Sequence, residues 1–61
     1  MATKEFTVKN HLGLATRYIP QRAIYNGVQG HFWERRVLVD GAWVFQGRVF
    51  HSLKATRKDI A

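Results

Sequence analysis

The segment from Tyr18 to Gly30 constrains the fold most, because it combines one proline, two glycines and a mixture of apolar and amide side chains. A proline suits the first turn of a helix, where its missing N–H is not needed, so Pro20 predicts a helix start. Gly27 weakens such a helix, and Gly30 ends it. The spacing therefore predicts a helix from Pro20 to Gln29. Its buried stripe would consist of Ala23, Ile24 and Val28, which recur at helical intervals.

The opposite side of this predicted helix is polar, with one large ring. Its members are Gln21, Arg22, Tyr25, Asn26 and Gln29. Arginine can form two hydrogen bonds to guanine, and glutamine or asparagine can form two to adenine. These five residues are therefore predicted to read base edges in the major groove of DNA. The alternative is that they form the solvated side of an ordinary helix, with Tyr25 packed into the core.

The residues before Pro20 predict a short strand and a first helix. Lys4 to Val8 alternates polar and apolar residues as a strand does, although Thr7 is equally placed to cap a helix. The apolar residues of the segment from Val8 to Ala15 fall at i, i+4 and i+7, which predicts a short helix. A tight turn would then lead into the second helix at Pro20, because the residue before a proline disfavours helical geometry.

From Phe32 onwards the apolar period changes to that of β-strands. Asp40-Gly41 is a two-residue hairpin signal, and Gln46-Gly47 is a second candidate turn. Three strands are therefore predicted over about residues 35–52. Thr56 is followed three residues later by Asp59, which resembles a capping box and predicts the start of a last helix.

Together these elements predict an α+β fold, a small winged helix-turn-helix with two short helices plus a β-hairpin or three-stranded wing. Sixty-one residues leave room for one domain, so the predicted DNA-binding domain spans residues 1–61.

Charge is the second clue to function. Ten Lys and Arg residues against four acids give a net charge of +6. Such a surface favours a polyanionic partner, because binding releases counterions from phosphates. The alternative is a solubilising surface with no partner. Seven basic residues, in the wing and elsewhere in the chain, are predicted to contact the DNA backbone. They are Arg17, Arg35, Arg36, Arg48, Lys54, Arg57 and Lys58.

The sequence shows no pattern for catalysis, a metal or a cofactor. Cysteine is absent, and His11, His31 and His51 share no ligand spacing. The acids are dispersed, so no nucleophile with a base and no carboxylate pair is predicted. We therefore expect a protein that is not an enzyme and that has no cofactor.

The sequence also predicts a location inside the cell. No apolar run reaches the ~18 residues of a membrane span. The opening Met1-Ala-Thr-Lys-Glu5 shows no apolar leader. The expectation is a cytoplasmic, nucleoid-associated protein with no membrane partner.

Five short motifs resemble those of the excisionase and MerR-type winged-helix DNA-binding domains. They are Phe6-Thr-Val-Lys9, Ile19-Pro-Gln-Arg-Ala-Ile-Tyr-Asn26, Gly30-His-Phe-Trp33, Val39-Asp-Gly-Ala-Trp-Val-Phe45 and Arg57-Lys-Asp-Ile60. In that group the Thr-Val motif opens the first helix, the Arg-x-Ile-Tyr motif lies in the recognition helix, and a hairpin forms the wing. The resemblance implies sequence-specific binding of double-stranded DNA, cooperative self-association on repeated sites, and bending of DNA that directs an integrase or recombinase. It implies a phage or mobile-element protein that acts in DNA recombination or transcription regulation.

Two other functions remain open at this point. A β-rich adaptor or inhibitor would bind a protein through Trp33, Trp43, Phe45 and Phe50, as an exposed aromatic patch does. A sheet-based binder of single-stranded nucleic acid or RNA would stack bases on the same rings.

Overall fold

The computed structural model describes residues 3–61 as a four-stranded antiparallel sheet with one short helix. The strands are β1 (Phe6–Lys9), β2 (Ala15–Tyr25), β3 (Val28–Val39) and β4 (Ala42–Ser52), and the helix is α1 (Arg57–Ile60). Each strand pairs with the next along the chain, in the order β1-β2-β3-β4. The prediction of an α+β winged helix is therefore wrong, and so are the resemblance to excisionases and the helix-turn-helix mode of DNA binding that it implied.

The predicted helix from Pro20 to Gln29 is a β-hairpin. Its first part belongs to β2 and its last part to β3, with Tyr25 directly opposite Val28. Between them, Asn26 and Gly27 have φ angles of 50° and 77°. A two-residue hairpin turn of this hand requires positive φ at both positions, and Asn-Gly is the preferred pair. The two glycines that were interpreted as helix breakers instead serve a turn and a close strand contact.

Pro20 is accommodated because of its position in β2. β1 pairs only with the first four residues of β2, Ala15 to Tyr18. Within residues 3–61, Pro20 therefore has a strand neighbour on one side alone, opposite Trp33 of β3. Proline lacks an N–H and is tolerated at such sheet edges.

The predicted helix from Val8 to Ala15 is also wrong, since a loop joins β1 to β2 there. The Asn10 side chain accepts hydrogen bonds from the backbone N–H groups of Leu12 and Leu14, at 2.9 and 3.0 Å. Such side-chain bonds offer the backbone an alternative to helical pairing. Gly13, at a φ of 80°, completes the turn. The strand predicted from Lys4 to Val8 corresponds to β1.

The hairpin at Asp40-Gly41 is confirmed, with φ angles of 49° and 81°. The second turn, at Gln46-Gly47, is wrong. β4 continues through it with a register shift: Arg35 faces Gly47 and Arg36 faces Phe45. Two successive residues of β3 thus pair around an extra residue of β4, which is a β-bulge.

The last helix begins as predicted, at a capping box. The Thr56 hydroxyl accepts from the Asp59 N–H at 3.3 Å, and the Asp59 carboxylate accepts from the Thr56 N–H at 2.9 Å. The chain after β4 lies against one side of the sheet. There Ile60 packs against the buried rings of Phe6, Tyr18 and Trp33.

That ring cluster is the core. Phe6 stacks on Tyr18 with centroids 5.1 Å apart and meets Trp33 at 5.6 Å. Trp33 is 2% exposed. The Arg57 guanidinium lies 5.2 Å from the Phe6 ring centroid. Few other side chains are fully buried, as expected for so short a chain.

None of the helices in residues 3–61 is long and apolar enough to cross a membrane. Met1 and Ala2, on which the expectation of no leader partly depended, lie outside the described residues.

Candidate functional site

The sheet has two faces, and the register assigns every strand residue to one of them. Residues directly opposite each other on paired strands share a face, and neighbours along a strand alternate. Phe6, Tyr18 and Trp33 lie on the face that carries α1, which we call the covered face. The other we call the open face, because no element of residues 3–61 packs over it.

The open face combines arginines with aromatic rings. The register places Arg17, Arg36 and Phe45 in one row and Ile19, Glu34 and Arg48 in the next. A third row contains Gln21, Phe32 and Phe50, and Trp43 stands opposite Leu38 near the Asp40-Gly41 turn.

Two of these arginines lie over rings of the same face. The Arg17 guanidinium carbon is 4.3 Å from the Trp43 ring centroid, and that of Arg48 is 5.4 Å from the centroid of Phe32. A cation over an aromatic face is attracted to the ring's electron density. These contacts hold two charges flat on the sheet, in fixed positions, and independently confirm the assignment of faces.

Three rings form a cluster at the far end of the open face. Tyr25 meets Phe32 at 5.6 Å and Phe50 at 5.4 Å, and Phe32 meets Phe50 at 5.4 Å. Tyr25 is 50% exposed, and Phe45, nearer the bulge, is 54% exposed. The open face therefore exposes aromatic surface to solvent at two places, at Tyr25 beyond the arginines and at Phe45 beside Arg36.

One carboxylate interrupts the positive charge. Glu34 accepts from the Nε of Arg36 at 2.5 Å and stands opposite Arg48 in the register. In residues 3–61 the strands give the open face four cations, from Lys9, Arg17, Arg36 and Arg48, against this one acid. The face keeps a net positive charge.

The five predicted base readers do not form one surface. Gln21 and Tyr25 lie on the open face. Arg22 and Gln29 lie on the other face, where an Arg22 N–H donates to the Gln29 side chain at 3.2 Å. Asn26 lies in the turn. The groove-reading arrangement depended on a helix, and without the helix these side chains point to opposite sides of a sheet.

The seven predicted backbone contacts divide in the same way. Arg17, Arg36 and Arg48 come together on the open face, whereas Arg35 lies on the covered face. Lys54, Arg57 and Lys58 belong to the segment that follows β4, and Arg57 contacts the core of the covered face.

The aromatic surface proposed for an adaptor is also not assembled. Trp43, Phe45 and Phe50 lie on the open face, but Trp33 is in the core of the covered face.

Sequence reasoning missed the roles of Phe32 and Glu34 and the pairing of two histidines. His31 and His51 stand directly opposite each other on β3 and β4. Asn26-Gly27 could have placed Phe32 and Glu34, because it fixes the β2–β3 register once it is treated as a hairpin turn. The histidine pair depends on the β3–β4 register, which the bulge shifts between Arg35 and Arg36. Residues 3–61 hold no group of three or more His, Cys, Asp or Glu side chains suited to a metal ion.

No protein-family model, curated protein or solved structure matches this chain. The open face is therefore interpreted from its own chemistry.

Proposed function

We propose that this protein binds single-stranded nucleic acid across the open face of its sheet. The observation that carries the proposal is the pairing of arginines with rings on this face, Arg17 over Trp43 and Arg48 over Phe32. Charge and π-surface at adjacent points match the two repeating parts of a nucleic-acid strand, its phosphates and its bases.

The cations account for affinity without sequence preference. Each phosphate that Lys or Arg neutralises releases condensed counterions into solution, which favours binding most at low salt. Arg17 and Arg48 are held over rings before any ligand arrives, so less side-chain freedom is lost on binding than for a free lysine.

The rings favour a single strand over a duplex. Base–aromatic stacking contributes about 1–3 kcal/mol per base in single-strand binders and tolerates any base. The bases of a duplex are already stacked on each other and present only their edges, which a half-exposed Phe45 or Tyr25 reads poorly. Binding of double-stranded DNA, expected from the sequence, becomes the competing result of the experiment.

The open face is long enough for several nucleotides. β2, β3 and β4 contain 11, 12 and 11 residues. At about 3.3 Å per residue this gives a track of roughly 36 Å along the strands. Site sizes of about 4–16 nucleotides are usual for sheet-based single-strand binders.

The test is a fluorescence-anisotropy titration with a labelled 12-nucleotide oligo-dT, a mixed-sequence single strand and its duplex. We expect both single strands to bind more tightly than the duplex. Phe45→Ala should weaken binding about five- to tenfold through lost stacking, within the range for one base. Arg48→Ala should weaken it by a similar factor.

Arg22→Ala is the matched control, because it removes the same charge from an exposed residue on the other face. If Arg22→Ala and Arg48→Ala weaken binding equally, net charge alone is at work and the open face is not the site. Tighter binding of the duplex would replace the single-strand assignment.

A further inference from the structure

The outer edge of β4 has no partner strand among residues 3–61. β4 is last in the strand order, so only its inner side pairs, with β3. Its 11 residues contain no proline, and Arg48 is their one Lys or Arg. An unprotected edge strand presents free N–H and C=O groups to which another strand can bond.

The opposite edge of the sheet is protected. β1 has four residues, and the part of β2 beyond β1 contains Pro20, which has no N–H to donate. Short edge strands and prolines both prevent pairing with other chains. The last part of β4, from its bulge to Ser52, carries neither protection.

The hydrogen-bond pattern shows which backbone groups of β4 are free. The Leu53 N–H donates to the Gln29 carbonyl at 3.3 Å, one step beyond the last pair of the ladder. In an antiparallel ladder, residues that bond to the partner strand alternate with residues that point away from it. Counting back from Leu53 in steps of two, Val49 bonds to β3. The N–H and C=O groups of Arg48 and Phe50 therefore point outward.

These outward groups are bounded on both sides. Ser52 is the next outward residue towards the end of the chain, but its carbonyl accepts from the Ala55 N–H at 3.1 Å. In the other direction, Gln46 is the extra residue of the bulge, where regular pairing is interrupted. The free pairing groups of this part of the edge therefore belong to Arg48 and Phe50.

A second copy of the same strand, running in the opposite direction, fits these groups. When the two Val49 residues stand opposite each other, each Arg48 stands opposite a Phe50, and every outward N–H meets an outward carbonyl. A two-fold interface uses the same patch on both copies in this way. Moving the register by one pair would oppose the two Arg48 residues or require the Ser52 carbonyl.

The side chains also match in this register. Val49 is 61% exposed although it is apolar, and two valines directly opposite each other would cover one another. Arg48 and Phe50 lie on the open face, so each guanidinium would lie beside a ring of the other copy. Within one chain, Arg48 already lies over the ring of Phe32.

We propose that β4 pairs with β4 of a second copy in an antiparallel, two-fold symmetric dimer centred on Val49. The two sheets of four strands would join into one, with both open faces on the same side. Contacts this small are typical of weak, transient complexes, so the dimer should dissociate on dilution. This inference depends on the edge of β4 and not on the proposed function.

The first test is sedimentation velocity of the whole chain from about 10 μM to about 1 mM, the range in which weak complexes dissociate. We expect a monomer that converts to a dimer as concentration rises. Added salt should strengthen the dimer, because it screens the repulsion between two cationic copies. Nucleic-acid binding should weaken with salt, so the two proposals are tested separately.

Val49→Lys should weaken dimerisation at least about tenfold, because it sets two ammonium groups opposite each other at the centre of the edge. Val44→Lys is the matched control, since Val44 is also an exposed valine of β4 but lies beyond the bulge. It should leave dimerisation unchanged. A monomer at every concentration, association beyond a dimer, or equal effects of the two variants would overturn the proposal.

Cysteine cross-linking tests the register. The chain has no cysteine of its own. Residues opposite each other in a non-hydrogen-bonded pair have Cα atoms about 4.5 Å apart, which a disulfide can bridge. Val49→Cys should therefore form a disulfide-linked dimer at least about tenfold faster than Val44→Cys under mild oxidation. An unchanged backbone NMR spectrum of each reduced variant establishes its fold, and equal cross-linking of the two would contradict the register.

Discussion

At the scale of single residues, the close approach of β4 to β3 requires a glycine at position 30. It is buried opposite Ser52, and a Cβ placed on it would collide with the carbonyl of His51 and lie 2.7 Å from the Phe50 ring. Gly30→Ala should therefore cost about 1–3 kcal/mol of unfolding free energy, as overpacking does. Urea denaturation measures it. Gln29→Ala, one position away and exposed, should change stability by less than about 0.5 kcal/mol; similar losses in both would contradict the steric account.

Glu34 is the one residue of the open face whose removal should strengthen nucleic-acid binding. Its carboxylate repels phosphates and neutralises Arg36 through their ion pair. Glu34→Gln keeps the shape and frees that guanidinium. We expect up to about fivefold tighter binding of oligo-dT at low salt, since partly exposed pairs are worth about 1 kcal/mol at most. Anisotropy titration measures the change, and weaker binding by Glu34→Gln would place the strand elsewhere.

At the scale of elements, two local sequence signals predict their structures correctly, and a third signal predicts a hairpin where a helix was expected. Asp40-Gly41 and the Thr56–Asp59 capping box specify their structures through short-range backbone chemistry, and both predictions are confirmed. Asn26-Gly27 carries the same hairpin signal as Asp40-Gly41. The predicted helix instead followed from Pro20, a residue that fits either a helix start or an edge strand.

The division of the sheet into two faces could not be predicted from sequence. Alternation identifies a strand when one face is apolar and the other polar. Here Phe32 and Trp33 are neighbours on β3 and therefore point to opposite faces. Both faces carry rings as a result, and the alternation of apolar and polar residues is lost. Arg35 and Arg36 divide in the same way. Only the register, which involves three strands at once, shows that Arg17, Arg36 and Arg48 lie on the same face.

The capping box of α1 makes a prediction about pH. Hydrogen bonds from the backbone N–H and the side chain of Thr56 hold the pKa of Asp59 below its ordinary value. A carboxyl whose pKa is lower in the folded state stabilises the fold above its unfolded pKa. That contribution is lost as pH falls through the folded pKa. Amide signals of residues 57–60 should therefore shift towards coil values in acid, at a pH below ordinary aspartate titration.

Asp59→Asn is the control for that titration. The amide oxygen still accepts from the Thr56 N–H but does not ionise, so the acid-dependent shift should disappear while the helix signals remain. A midpoint at or above the ordinary aspartate value would show that the capping bonds do not hold in solution.

At the scale of the whole molecule, charge is spread over both faces, so net charge and binding site must be separated experimentally. The chain carries +6, but the strands of the open face contribute only four cations, Lys9, Arg17, Arg36 and Arg48. For single strands, log K falls with log salt concentration with a slope of about −0.7 per neutralised phosphate. Four contacts predict a slope of about −3, and engagement of all ten basic residues predicts about −7.

Single substitutions then locate the strand on the molecule. Arg48→Ala should make the oligo-dT slope shallower by about 0.7, and Arg22→Ala should leave it unchanged, although both variants have the same net charge. Phe45→Ala should lower affinity at every salt concentration without changing the slope, because stacking releases no counterions. A slope near −7, or equal changes for Arg22→Ala and Arg48→Ala, would mean that the nucleic acid binds the whole basic surface and not one face. A slope near −3 that changes in Arg48→Ala and not in Arg22→Ala would place the nucleic acid on the open face, where the rings and the arginines bind it together.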